Sequence, residues 1–415
     1  MGSWKKFVAL LGPGLLMAGA AIGVSHLVQS TRAGADYGLQ LAFVILLVNL
    51  FKYPFFEFGH RYAAATGQNL LQGYALMGRR YLLIFFLLNL VSAIISLAGV
   101  TMVTAGLAEY LFGGVGGTVF WSAFFFLISI ALLSMGHYRW LDRSMKFLMV
   151  ILLLSTVVAC LAAGWHGPVA PSDFSSPNPW SKVGLGFLIA LMGWMPAPVE
   201  LSVWQSLWLQ ARERDKKERY TLAEARLDFN VGYGLSVVMA LLFLFMGAWV
   251  MHGSGLVFSN AGSVFASQIV QLYQEVLGDW AGPVVALAAL AAMFSTVITC
   301  VDAYPRSLAV ATELIFPRFQ PDGRRHHLVW MLLCCGLGFV IILRYASEMK
   351  NLIDLATTLA FLAAPFFAFL NYRLINSAAV SQEMKPGPFL NALAVLGMLF
   401  LSLFSLVFLW FRFIG

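Results

Sequence analysis

Among the ionisable side chains inside long apolar runs of this chain, four stand out: His26, Glu57, Glu200 and Asp302. Burying such groups in a bilayer is costly, so each is a functional candidate. An imidazole with a near-neutral pKa can carry a proton or accept a hydrogen bond, and a carboxylate can hold a cation or relay a proton. All four are therefore candidates for proton coupling. His26 lies in LGPGLLMAGAAIGVSHLVQSTRAGADYG, Leu11 to Gly38, a segment that reads as a membrane helix carrying Gly23, Ser25 and His26 at mid-depth. Glu200 follows Met192 and the run Met195-Pro196-Ala197-Pro198, with Trp194, Trp204 and Trp208 on the same segment. A carboxylate among aromatic faces is suited to amines and guanidinium groups, through charge pairing and cation–π contact. Glu57, with Lys52, His60 and Arg61 nearby, forms an i,i+4 pair with Arg61, and Asp302 forms one with Arg306, so ion pairing competes with a functional role for both.

The elements that must position these groups follow from composition. Over 415 residues the chain is 60% apolar, 14% aromatic and 11% charged, with mean hydropathy +0.82, which describes an all-α polytopic membrane protein and excludes a soluble domain. A span needs about 20 mostly apolar residues. Eleven such segments are expected, near 8–31, 40–63, 81–112, 117–136, 145–165, 184–209, 227–252, 281–312, 328–345, 352–373 and 389–413. The first is read as a retained span, being too long for a signal peptide.

No extramembrane segment is long enough for a soluble domain, so the chain is not expected to be an enzyme, and no cofactor is expected. Cys160, Cys300, Cys334 and Cys335 lie in apolar runs without metal or disulfide spacing and read as packing. With the amino terminus cytoplasmic, most of the 26 lysines and arginines fall inside, including Lys5, Lys6 and the cluster from Arg212 to Arg226. The pI near 9.3 then reflects topology and lipid headgroups, not nucleic acid. The expected location is a plasma membrane, by default a bacterial inner membrane; oligomeric state does not follow from the sequence.

Between spans, Arg212 to Arg226 reads as a solvated helical linker, Gly164 to Lys182 as an irregular outer loop, and Ser259 to Val276 as an amphipathic surface helix. Asp228 and Asn230 mark the start of span seven. Span one is interrupted near Gly23 and span six at Met195-Pro196-Ala197-Pro198, five spans apart. Paired broken helices at corresponding positions point to a secondary transporter built from inverted repeats. Glycine and proline there free backbone groups at mid-membrane, and only protein or a polar ligand can satisfy them.

Taken together, Gly12-Pro13-Gly14-Leu15-Leu16-Met17, Arg32-Ala33-Gly34-Ala35-Asp36-Tyr37-Gly38, Ala65-Thr66-Gly67-Gln68-Asn69, Met195-Pro196 and Phe294-Ser295-Thr296 resemble the Nramp family of proton-coupled divalent metal transporters. The resemblance covers nearly the whole chain. It implies a leucine-transporter-like fold: two inverted five-helix repeats (1–165 and 184–373) plus an eleventh helix (389–413), with helices one and six broken. It also places the substrate site at Gly23, Ser25, His26, Met192, Met195 and Ala197, with His26 and Met195 as metal ligands, and the intramembrane carboxylates Glu200 and Asp302 are added to that site as candidates on their cost of burial.

The chain departs from the family at the centre of that site. The family's Asp-Pro-Gly-Asn is replaced here by Gly23-Val24-Ser25-His26, and its Met-Pro-His by Met195-Pro196-Ala197. No acidic residue occurs between Glu57 and Glu109, where the family carries several. Hard divalent ions favour carboxylate and carbonyl oxygen, so the missing carboxylate matters. Glycine at 23 also leaves space that a bare metal ion does not need. A divalent metal, hydrated or bare, and a small organic cation both stay open as substrates, as does a membrane sensor or scaffold that transports nothing.

Overall fold

The computed structural model describes residues 12–135, 138–171, 173–216, 219–318 and 322–414. Lys5, Lys6, residues 8–11 of the expected span one, and Lys217 lie outside these. Span one is a chain of three pieces: α1 (Pro13–Ala21), a π-helical turn (Ser25–Ser30) and α2 (Thr31–Tyr37). After a short 3-10 turn (Gly38–Leu41) come α3 (Ala42–Thr66), α4 (Leu70–Met77), α5 (Arg79–Leu111), α6 (Gly117–Met135) and α7 (Tyr138–His166). Span six is α8 (Lys182–Trp194) and α9 (Leu201–Lys216), separated by a non-helical stretch. The rest is α10 (Leu222–Val250), α11 (Gly262–Leu277), α12 (Ala281–Ile315), α13 (Gly323–Tyr345), α14 (Met349–Ile375) and α15 (Pro388–Phe413).

Among the described residues eight helical stretches are long and apolar enough to cross a bilayer. The eleven expected segments map onto them with three adjustments. Residues Ser25–Thr66 run as one apolar helical stretch through the end of span one and all of span two. Span five lies within α7 (Tyr138–His166), whose stretch Val150–His166 is apolar among the residues with described side chains, and the apolar part of span six, Lys182–Trp194, is shorter than a full crossing. In span six the reason is the break itself, which divides one crossing between α8 and α9.

Local sequence explains the helix ends that frame the site. Asn69 and Gln72 form a reciprocal capping box at the start of α4, and Thr221 and Glu224 do the same at the start of α10. The expected surface helix is α11, whose Phe265, Ala266, Ile269, Val270 and Tyr273 form a buried face. The start of α1 is held by Asp228 of α10, whose carboxylate accepts from the amides of Gly12 and Gly14, each at 2.8 Å. Asn230 accepts from the Tyr53 hydroxyl at 2.8 Å. Further along, α2 presses directly onto α10: a Cβ on Gly34 would stand 2.0 Å from the Leu244 carbonyl oxygen, and one on Gly247 2.1 Å from that of Thr31. Small residues that let backbones touch are the usual glue between membrane helices, because lipid gives apolar side chains no drive to associate. Span one is thus clamped along α10, leaving its interruption to face α8, α9 and α12.

Candidate substrate site between the two broken helices

The first break is narrow. The α1 helix stops at Ala21, and the chain turns through Ile22 and Gly23 before the π-helical turn begins at Ser25. The space glycine leaves at 23 is filled by α12: a Cβ there would stand 2.7 Å from Oγ1 and 2.9 Å from Cγ2 of Thr296. Gly23 therefore admits a neighbouring helix, which corrects the expectation that it opens room for a large substrate.

Ser25 and His26 are both buried. The Ser25 hydroxyl lies 2.6 Å from the Ala21 carbonyl, 2.7 Å from Nδ1 of His26 and 3.3 Å from the carbonyl of Pro196 across the site. On the other side of the ring, Nε2 is 2.8 Å from the carbonyl of Ser236 in α10. A carbonyl only accepts, so Nε2 carries hydrogen and donates. Both ring nitrogens of His26 are thus engaged, and in this conformation neither offers a lone pair to a metal ion.

The second break runs from Met195 to Glu200 and includes a cis peptide between Met195 and Pro196. It strands the last carbonyls of α8, which carry the partial negative charge of a helix C-terminus. A lysine from another helix reaches them. Nζ of Lys52, in α3, donates to the carbonyls of Met192 at 2.6 Å, Gly193 at 2.8 Å and Ala197 at 3.2 Å. Three acceptors match the three hydrogens of an ammonium group. Lys52 is 0% and Glu200 1% exposed.

Between the breaks lies a cavity of about 30 Å³, roughly the space of one water, lined among others by Ala21, Ser25, Trp194, Pro196, Trp204 and Tyr304. Ser96, Ala197, Thr296 and Cys300 complete its polar and small-residue wall. No charged side chain lines it. Glu200 stands behind the wall and connects to it through hydroxyls. Ser92 donates to Oε1 of Glu200 at 2.5 Å and lies 3.4 Å from the Tyr304 hydroxyl, which donates to Ser96 at 3.2 Å. Among the described residues, Oε2 of Glu200 and the indole nitrogens of Trp194 and Trp204 have no hydrogen-bond partner. Trp204 packs edge-on to Tyr304 with centroids 4.6 Å apart.

The other expected site residues lie elsewhere or face away. Met192 and Met195 are buried beside the second break, and Met192 and Ala197 contribute carbonyls to Lys52. Asp302 is not at the cavity. Thr296, Cys300 and Tyr304 repeat every four residues on the cavity face of α12, and a residue two on from Cys300 points roughly 200° round the helix. Its carboxylate pairs with Arg306 at 2.5 Å and lies 3.6 Å from Nε2 of His327. Glu57 is held by Arg61 at 2.5 Å, with Arg226 3.5 Å away. On the far side of the site, Arg32 makes a two-pronged pair with Asp354 at 2.7 and 3.0 Å and donates to Gln29 at 2.7 Å, tying α2 to α14.

Sequence reasoning missed Lys52 as a site residue. Its signal was present: a lysine in mid-span with no carboxylate at i±3 or i±4 must find acceptors on another helix. Ser92 and Ser96 carried no such signal, because serine hydroxyls in membrane helices commonly bond their own backbone, and Tyr304 carried none because a tyrosine in a span is ordinarily read as packing. No cluster of three or more histidine, cysteine or acidic side chains suited to a metal ion occurs among the described residues. Any ion in the cavity would thus meet hydroxyls, carbonyls and water before a carboxylate.

A family model described as natural resistance-associated macrophage protein-like, Nramp, matches residues 14–411. An uncharacterized protein of Pasteurella multocida is 37% identical over 412 residues, covering 98% of this chain and 93% of that protein. The divalent metal cation transporter MntH of Mesorhizobium japonicum is 24% identical over 420 residues, 90% of each chain. Among solved structures, a manganese transporter of Eremococcus coleocola superposes with a TM-score of 0.75 at 18% identity, covering 97% of this chain and 86% of that one. The fold is the leucine-transporter-like one, with helices one and six broken.

Proposed function

Because the chain belongs to the Nramp family, we propose that it is a secondary-active transporter that carries a cationic substrate across the membrane by alternating access. The substrate this reading favours is a divalent metal ion, as in the relatives named divalent metal cation transporter and manganese transporter. The observation that carries it is the meeting of the two breaks, Ser25 Oγ 3.3 Å from the Pro196 carbonyl, around a cavity backed by a carboxylate oxygen without a partner. With no anion in the wall, the ion enters with part of its hydration shell, and water bridges it to Ser25, Ser96, Thr296 and Tyr304. The cavity has to widen for this, which is the movement that alternating access supplies.

In this reading residues 1–165 and 184–373 form the repeats that exchange access, and the amino terminus is cytoplasmic. Flux is coupled to protons through His26, which is bonded to Ser25 of the cavity wall, and Glu200, which connects to that wall through Ser92 and Tyr304. Glu57 and Asp302 act in the ion pairs that hold the helices together.

A specific observation favours a second reading, a small organic cation such as an amine or guanidinium. Trp194, Trp204 and Tyr304 line the cavity with Glu200 behind them, and aromatic faces with a carboxylate recognise such cations. Proteoliposomes decide between the readings. Uptake and luminal pH are followed with Mn²⁺, Mg²⁺ and a panel of amines and guanidinium compounds. Metal flux with a matching pH change supports the first reading. Guanidinium flux without metal flux replaces it with the second. No flux of any cation leaves a sensor or scaffold.

A further inference from the structure

We propose that the Lys52 ammonium is a tethered cation occupying a cation-binding cage, and that a free divalent ion and Lys52 compete for that cage. The inference rests on the reading of this region as a cation site. Its basis is the donor set around Nζ. The carbonyls of Met192, Gly193 and Ala197 lie at 2.6, 2.8 and 3.2 Å, converging on one point at the negative end of α8. A ring of carbonyl oxygens with a carboxylate nearby is the chemistry that holds a dehydrated or partly hydrated cation. Here a lysine supplies the charge.

Several observations argue against an ordinary structural lysine. Membrane lysines near helix ends usually reach out to the interface, whereas Lys52 is 0% exposed and turns inward. It ignores Glu57, five residues on, which is taken by Arg61 and Arg226. Glu200, buried and three residues on from Ala197, has one carboxylate oxygen with no hydrogen-bond partner among the described residues. In this proposal that spare acceptor turns to the ion that replaces Lys52.

The test uses purified full-length protein and Mn²⁺ as probe, with binding read from loss of the free-ion electron paramagnetic resonance signal and from thermal stabilisation. Lys52→Ala empties the cage. Lys52→Gln removes the charge but can still donate to two carbonyls, and it serves where Lys52→Ala does not fold. Both are expected to bind Mn²⁺ at least tenfold more tightly than wild type, and Lys52→Arg is expected not to. Adding Glu200→Gln to Lys52→Gln should abolish the gain. A folded Lys52→Gln or Lys52→Ala protein with wild-type Mn²⁺ affinity, or a gain that persists with Glu200→Gln, overturns the proposal. Binding is read without transport, so a gain in Lys52→Gln alongside a wild type that moves no cation would remove the transporter reading and leave this assignment standing.

Discussion

The hydroxyl of Ser25 lies 3.3 Å from the carbonyl oxygen of Pro196, so a single side chain joins the interruption of span one to that of span six. The same hydroxyl is 2.7 Å from Nδ1 of His26, and the ring is fixed on its other side by the Ser236 carbonyl. Movement of either break relative to the other must disturb this one group first.

Ser25→Ala is therefore expected to leave Nδ1 of His26 buried without a partner, a cost of about 1–3 kcal/mol. Melting of the purified protein should fall accordingly, and the initial rate of cation uptake should fall by more than the lost folded fraction explains. A melting shift with an unchanged rate per folded molecule would reduce Ser25 to a packing residue.

Gly23→Ala pushes a methyl group against Thr296, whose Oγ1 would be 2.7 Å away. Overpacking of this kind costs about 1–3 kcal/mol. Thr296→Ala removes both atoms closer than 3.0 Å, leaving only the threonine Cβ at 3.2 Å. The double variant should accordingly be more stable than the sum of the single changes by about 1 kcal/mol or more, the range of coupling for residues in contact. Additive melting shifts would mean that Gly23 and Thr296 do not meet.

Arg61→Ala strips Glu57 of its close partner and leaves only the half-exposed Arg226 at 3.5 Å. Removing one member of a buried pair typically costs about 3–5 kcal/mol, and replacing both with apolar residues of similar volume is often near neutral. Because Arg226 remains, the expected loss for Arg61→Ala is at the lower end, about 3 kcal/mol. Glu57→Leu with Arg61→Met should recover most of it. Thermal melts of the three proteins check this, and a double variant no more stable than Arg61→Ala would show that Glu57 is needed for more than pairing.

The parts of this structure that were legible in the sequence are those with a local or compositional cause. Apolar length gave the spans, and Gly23 with Pro196 and Pro198 gave the two breaks, since each residue type acts on its own backbone. The i,i+4 pairs Glu57–Arg61 and Asp302–Arg306 form as their spacing implies. What the sequence withheld is which helix faces which. Gly23 read as open space, and only the packing of α12 shows Thr296 filling it. Glu57 and Lys52 are near neighbours in sequence, yet five residues is roughly 140° round a helix, and Lys52 serves a different helix altogether. The missing acidic residue at Gly23 marked this site as unusual, and the unpaired mid-span Lys52 signalled acceptors on another helix, but which carbonyls it reaches took the packing of α3 on α8 to show.

Glu200 offers the sharpest contrast between two carboxylates expected at one site. Its Oε1 accepts from Ser92, which leads through Tyr304 to the cavity wall, while Oε2 has no hydrogen-bond partner among the described residues. Asp302 lies on another face of α12, two-pronged to Arg306 at 2.5 and 3.1 Å. If the cavity carries the cation, Glu200→Gln should lower initial uptake at least tenfold, because the carboxylate that connects to the cavity wall loses its charge. Asp302→Asn should change uptake less than twofold once corrected for folded protein, since its charge is spent on Arg306. Tenfold is about 1.4 kcal/mol of differential stabilisation, well within what one desolvated carboxylate contributes to a cation. Uptake by both variants, measured in proteoliposomes at matched protein content, checks the assignment. Undiminished flux in Glu200→Gln with a loss in Asp302→Asn would move the substrate path from the cavity between the breaks to the Asp302 face of α12.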